Sequence, residues 1–210
     1  MLIDKKVIKR KKRIGIFLGT FDPIHNAHIH IAQGAIKNVG LDSVIILPSF
    51  KSPHKGEGIS ISSKERMTMC ELACYGENLI IASDVEIKNK LEGYSLKKID
   101  LIADDYPNSE LYYIIGSDAY LSIRQWDNLE DLIGKVVFCV IMRNYNDTQR
   151  VEEIKSELEV LGGKTHICNF KTLDISSTGI REKIRRGDSI KDLVDKRVEN
   201  FILANNLYLK

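Results

Sequence analysis

Four short polar segments of this 210-residue chain combine residue types that handle phosphate. Gly19-Thr20-Phe21-Asp22-Pro23-Ile24-His25-Asn26-Ala27-His28 follows an apolar run and sets two imidazoles three positions apart across a predicted helix start. There a ring N–H donates to a phosphate oxygen and the helix N-terminus adds positive potential, while Gly19-Thr20 lets backbone come close to a ligand. Ile175-Ser176-Ser177-Thr178-Gly179-Ile180-Arg181 offers three hydroxyls at another helix N-terminus and a guanidinium one turn later, a composition suited to a polyphosphate. Pro48-Ser49-Phe50-Lys51-Ser52-Pro53-His54-Lys55 carries further cations, and Gly116-Ser117-Asp118 is followed eight residues later by Trp126. Each segment alone has a plainer reading. His25, His28 and His30 form a zinc set only without any thiolate and with His30 on a different helix face, a serine before a surface arginine is an ordinary N-cap, and a single tryptophan is commonly a core anchor.

The elements that position these segments follow from hydrophobic periodicity. Short continuous apolar runs at 14–19, 43–48, 79–82, 111–116, 136–141 and 165–168 alternate with helical spacing at about 27–39, 62–76, 95–105, 117–133 and 148–161. That alternation predicts an α/β fold, a Rossmann-like doubly wound parallel sheet. Ile180, Ile184, Val198, Phe201 and Ile202 recur at helical intervals and predict two closing helices at 177–187 and 193–205. Ser62 with Glu65 three residues on has capping-box spacing, and Gly40 and Gly162 stand where C-terminal caps belong. All four polar segments then fall just after strands, on the sheet edge where open parallel sheets bind ligands. Their convergence on one edge is what makes a site.

With the motifs in place, Gly19 to His28 resembles the GTFDPxHxGH signature of the nucleotidyltransferase superfamily, and Ile175 to Arg181 resembles its ISSTxIR motif. Together with Ser52-Pro53-His54-Lys55 and the Gly116-Ser117-Asp118 to Trp126 spacing, the pattern looks like the bacterial nicotinate mononucleotide adenylyltransferases over about 13–208. The resemblance implies adenylyl transfer from ATP to nicotinate mononucleotide, giving deamido-NAD and pyrophosphate, with Mg²⁺ carried on ATP and no dedicated protein metal site. It assigns His25, His28, Lys55 and Arg181 to catalysis. Gly19, Thr20, Phe21, Gly116, Asp118, Ser176, Ser177 and Thr178 are assigned, with His28 and Arg181, to ATP, and Tyr94, Ser95 and Trp126 to the pyridine mononucleotide. Departures from the family pattern are Leu18 and Ala27, each where a glycine is usual, and Gly93-Tyr94-Ser95-Leu96-Lys97-Lys98 in place of Ser-Tyr-Thr-x-Asp-Thr. The two lysines are expected to raise the potential near the pyridine substituent, with at least one of them turned to solvent. Phosphopantetheine adenylyltransferase and a catalytically weak nucleotide-binding regulator of the same fold are the alternatives.

Composition narrows the classes. The chain is 43% hydrophobic and 29% charged, with 4 Pro and 14 Gly, so it suits a globular domain. Apolar runs such as Val136 to Met142 are strand length, far short of the roughly 20 residues of a spanning helix, and no h-region of a leader is visible. Four cysteines form no CxxC pair and are expected as reduced core thiols in a cytoplasmic protein. Net charge is +2, but Lys5, Lys6, Lys9, Arg10, Lys11, Lys12 and Arg13 concentrate cations at the N-terminus. Without interleaved aromatics this arm reads as a solvated tail over 1–12 ahead of one nucleotidyltransferase domain at 13–210, with neither nucleic acid nor membrane as partner. Removing residues 1–12 is therefore expected to change kcat/KM for adenylyl transfer by less than about tenfold at moderate salt, checked on the truncated chain.

Overall fold

A computed structural model describes residues 13–51, 61–91, 96–126 and 128–209. Lys55, Tyr94, Ser95 and the basic arm over 1–12 lie outside them. Six parallel strands are ordered β3-β2-β1-β4-β5-β6: β1 (Arg13–Gly19), β2 (Ser43–Pro48), β3 (Ile80–Ala82), β4 (Glu110–Gly116), β5 (Val137–Ile141) and β6 (Lys164–Cys168). The order reverses between β1 and β4, so their carboxyl ends open a crevice at the switch point.

Strand alternation splits the core. Phe17, Tyr112, Ile114 and Cys139 face one layer, made by α1 (Asn26–Ala35), α2 (Ser63–Cys74), α8 (Ser177–Arg185) and α9 (Lys196–Ala204). Ile16, Tyr113, Ile115 and Phe138 face the other, made mainly by α4 (Leu96–Asp105), α6 (Leu129–Ile133) and α7 (Thr148–Val160). The closing helices α8 and α9 bury Ile180, Ile184, Val198 and Ile202 against the first face. Ser62 caps α2, accepting from the Glu65 amide at 3.2 Å while Glu65 accepts from the Ser62 amide at 2.6 Å, and Gly40 and Gly162 adopt the positive φ of helix ends. All four cysteines are buried free thiols.

Two stretches differ from the periodic expectation. The continuous helix expected over 117–133 is instead α5 (Ser117–Tyr120), a 3₁₀ turn at Ile123–Gln125 and α6, with Trp126 extended at the break and Asn128 left-handed at φ 59°. Its apolar residues keep helical spacing, but Leu121, Ile123 and Trp126 reach the same core from a stretch interrupted by the 3₁₀ turn and by left-handed Asn128. A short helix absent from the periodicity, α3 (Val85–Lys88), carries the buried Glu86.

The loops after β1 and β2 are tied together by one side chain. Arg66, on α2 and 1% exposed, donates from Nη1 to the Thr20 carbonyl at 2.6 Å and from Nη2 to the carbonyls of Ser49 at 2.6 Å and Phe50 at 3.2 Å. Burial lowers its pKa, opposed by the charges of Asp22 and Glu86. A lysine presents one compact ammonium and cannot span these acceptors as a planar fork does. Arg66→Lys should leave a buried carbonyl unpaired and cost about 1–3 kcal/mol in denaturant unfolding. Amide hydrogen exchange should then accelerate in the 19–22 and 49–51 segments together, and loss of protection in only one of them would disprove the tie.

Candidate active site

The first loop is a folded-back turn. Phe21 takes φ 52° and lays its ring against Gly19, where an added Cβ would stand 2.9 Å from the ring. Gly19 is thus required by Phe21, whose ring also meets the edges of Phe17 and His28 at 5.6 and 4.9 Å. The turn, with a cis Asp22–Pro23 peptide, is held from four further directions. The Tyr208 hydroxyl donates to Asp22 Oδ1 at 2.7 Å, Arg181 Nη1 to the Asp22 carbonyl at 2.7 Å, and Ser177 Oγ to the Pro23 carbonyl at 2.8 Å. The Asn26 amide donates to the Leu193 carbonyl at 2.9 Å. Ala27, at 3% exposed, packs inward.

His25 precedes α1 and its backbone N–H donates to His28 Nδ1 at 3.2 Å. That bond makes His28 Nδ1 an acceptor, so the neutral ring carries its proton on Nε2. The two rings stack at 3.7 Å and 24°. Burial, then the nearby Arg143 charge, brings the His25 pKa down from 6.5 to about 4. Burial, His25 and Arg143 push His28 well below its usual value. At neutral pH the pair offers N–H donors without positive charge. Buried His25 Nδ1 has no hydrogen-bond partner among the described residues. His30 turns away: its Nε2 lies 2.9 Å from the Lys171 carbonyl oxygen and its ring meets Phe170, so the three histidines do not converge. Among the described residues no group of three or more His, Cys, Asp or Glu is placed to hold a metal.

Beside this turn, a cleft of about 270 Å³ opens over the ends of β1 and β4. Its wall includes Leu18, Gly19, Thr20, Tyr113, Gly116, Asp118, Trp126 and Arg143. Half-buried Trp126 meets Tyr113 edge-on at 5.7 Å. Asp118 pairs with Arg143 at 3.2 Å and folds over Gly116, where an added Cβ would stand 2.4 Å from Asp118 Oδ1. Arg143, just beyond β5, escaped the sequence reading because no motif surrounds it. Its backbone N–H donates to Ser117 Oγ at 3.2 Å, which fixes the end of β5 to the end of β4. Lys98 and Glu86 also line the cleft, 2.8 Å apart. Lys98 does not add net potential as expected, because its charge is balanced by a buried carboxylate; Lys97 is exposed, in line with the expectation that at least one of the two lysines turns to solvent.

The C-terminal segment arrives on the other flank of the turn. Ser176 caps α8, accepting from the Gly179 amide at 3.1 Å, and Thr178 Oγ1 accepts from Arg181 Nη2 at 3.2 Å. The hydroxyls expected to form an open cradle are therefore engaged: Ser176 as a cap, Ser177 and Arg181 as ties to Asp22–Pro23, Thr178 on Arg181. Exposed Ser176 and Thr178 remain at the surface of the α8 N-terminus. Two neighbouring subsites result, the aromatic-walled cleft and the His28–Arg181 flank. Arg143 belongs to both, since it lines the first and acts electrostatically on the histidines of the second.

A family model described as cytidylyltransferase-like matches residues 16–183. The chain is 36% identical to a probable nicotinate-nucleotide adenylyltransferase of Clostridium tetani, covering 94% of this chain and 99% of that protein. It is 34% identical to a protein of the same name from Hydrogenobaculum sp., covering 94% and 98%. Its fold is shared with Plasmodium falciparum nicotinic acid mononucleotide adenylyltransferase complexed with NaAD, at TM-score 0.69 and 22% identity over 94% of this chain and 97% of that one. The crevice between β1 and β4, the histidine turn and the α8 latch are thus set in the frame that these similarities identify: the chain belongs to the nicotinate-nucleotide adenylyltransferase family of the nucleotidyltransferase superfamily.

Proposed function

We propose that the chain transfers the adenylyl group of ATP to nicotinate mononucleotide in the synthesis of NAD. The observation that carries this reading is the pairing, across one strand switch point, of an aromatic-walled cleft with a flank of phosphate donors. A pyridine mononucleotide stacks its ring on Trp126 and sets its 5′-phosphate toward Arg143. That phosphate oxygen attacks the α-phosphorus of ATP, a new P–O bond forms, the α–β anhydride bond breaks and pyrophosphate leaves. No covalent intermediate with the protein is needed, so the protein's work is alignment and charge stabilisation. His28 donates its Nε2 proton as a hydrogen bond to ATP phosphate; Lys55 and Arg181 neutralise the departing pyrophosphate, and the α8 N-terminus donates to it through the Ser177 and Thr178 amides and the Ser176 and Thr178 hydroxyls, the Ser177 hydroxyl being held by the Pro23 carbonyl. Gly116 and Asp118 orient a ribose, with Asp118 exchanging part of its Arg143 pairing for ribose hydroxyls. Mg²⁺ enters with ATP as part of the substrate. The buried free cysteines support a reducing, cytoplasmic setting.

The direct test is pyrophosphate release with MgATP and nicotinate mononucleotide, nicotinamide mononucleotide or phosphopantetheine; release only with phosphopantetheine would sink the reading. His28→Ala should lower kcat on the order of 10²-fold, about 2.7 kcal/mol, because its donor meets charge that grows as the anhydride breaks. Trp126→Ala should instead raise KM for the mononucleotide by the equivalent of about 1–3 kcal/mol and leave that for ATP nearly unchanged.

The neutral histidines also carry a stability signature. The folded state keeps His25 unprotonated down to about 4, whereas its ordinary pKa is 6.5, so on acidification the unfolded chain takes up the proton first. Stability should therefore be fully present above pH 6.5 and fall as pH drops toward about 4, with His28 acting in the same direction. Denaturant midpoints across that window should decline less in His25→Asn than in the parent chain, by the equivalent of about 1–3 kcal/mol. Parallel declines would mean other groups dominate.

A further inference from the structure

Two opposite charges sit in the cleft wall where apolar side chains would be cheaper. Glu86 is 2% exposed and Lys98 5%, and Lys98 Nζ donates to Glu86 Oε2 at 2.8 Å. The other carboxylate oxygen, Oε1, accepts from the Phe50 amide at 3.1 Å, so Glu86 is fixed by both oxygens and holds the lysine in turn. Such a pair is a poor stability device, because apolar residues of similar volume generally serve as well or better. Its place is informative: both residues line the same cleft as Trp126 and Tyr113, and among the described residues the remaining charged groups of that wall are Lys51, Asp118 and Arg143. Asp118 is matched with Arg143 at the mouth, and Glu86 with Lys98. The cleft therefore presents an aromatic wall together with a dehydrated ammonium whose position is set before any ligand arrives.

We propose that Lys98, held by Glu86, is the specificity-determining cation that reads an acidic substituent on the ring of the bound mononucleotide. This rests on the proposed pyridine mononucleotide as occupant of the cleft and names the residue that selects its acid over its amide form. An ammonium has three N–H groups, so one carboxylate oxygen of Glu86 and one of the ligand can be accommodated together. A charge-assisted hydrogen bond to a ring carboxylate is roughly twice as strong as a neutral one. A carboxamide gains less and must turn its own NH₂ away from the cation. Glu86 tempers the attraction: it keeps the empty cleft neutral at this point, so preference for the acid comes from a placed donor and not from net positive charge.

Trp126 is the only tryptophan of the chain and lines the same cleft, which gives a binding readout independent of turnover. Its fluorescence is titrated with nicotinate mononucleotide and with nicotinamide mononucleotide, and the ratio of the two dissociation constants is followed in the full-length chain. Lys98→Met alone strands a buried carboxylate and invites unfolding, so the test uses the neutral double variant Glu86→Gln/Lys98→Met, in which the side-chain carbonyl introduced at position 86 still accepts from the Phe50 amide. The parent chain should favour the acid by at least about tenfold, and the double variant should lose at least about tenfold of that ratio through weaker acid binding. Glu86→Gln alone, which unmasks the lysine, should move the ratio the other way, further toward the acid. A ratio within about twofold of the parent in a folded double variant, or a fall in Glu86→Gln, overturns the role of Lys98. If neither mononucleotide perturbs Trp126 in the parent chain, the occupant of the cleft is wrong and the function proposed above falls with it.

Discussion

A buried guanidinium organises the ligand edge of this protein. Among the described residues Arg66 is bound to three backbone carbonyls and not to a carboxylate, and those carbonyls belong to the loops that leave β1 and β2. Taking an arginine out of water is costly, so the arrangement persists only if the acceptors stay in place. The cost of burial is thereby converted into a constraint: neither loop can move without uncovering the charge. Arg66 Nε, buried without a partner, shows that the three carbonyls are the whole of its direct compensation among the described residues. The Ser49 amide bond to the Gly19 carbonyl at 2.9 Å closes the same joint from the backbone side.

Around that joint the histidine turn is held by groups from distant parts of the chain. Tyr208 comes from the segment after the last helix, Arg181 and Ser177 from α8, and each bonds to Asp22 or Pro23. The closing helices therefore shape the histidine turn as well as the core, since the residues that follow the sixth strand set the form of the loop after the first. A turn fixed at so many points presents His28 in one orientation and one tautomer. Neutral donors held in place in this way suit the adenylyl transfer proposed above, since preorganised donors stabilise developing charge without reorganisation.

Charge in the site is divided by position. The stacked histidines are kept neutral by burial and by Arg143, so cationic character lies with Arg143 and Arg181, which remain partly exposed. Inside the cleft, the two acids among the described residues each have a cationic partner at hydrogen-bonding distance, Asp118 at the mouth and Glu86 within the wall. Matched pairs of this kind do little for folding, but they fix charged groups in the wall of the cleft.

The amino-acid sequence by itself determined the scaffold and the four segments along its edge. Strand periodicity, the Ser62–Glu65 cap and the glycines at 40 and 162 are local signals, written within a few residues of the structure they produce, and the observed elements follow them closely. The motifs at 19–28 and 175–181 were legible for the same reason, and their adjacency followed from strand order. What only the tertiary structure decided is how long-range partners use those groups. Arg66 and Lys98 sit on helices where a charged residue ordinarily reads as a solvated face, and nothing local says that their partners lie up to 46 residues away. Arg143 has no motif around it, and the hydroxyl of Ser177 turned out to bond to a carbonyl 154 residues earlier. Local pattern specifies backbone conformation because that depends on neighbours in sequence. The destination of a buried polar group depends on which unsatisfied donor or acceptor the fold brings beside it, and that is settled only when the layers close.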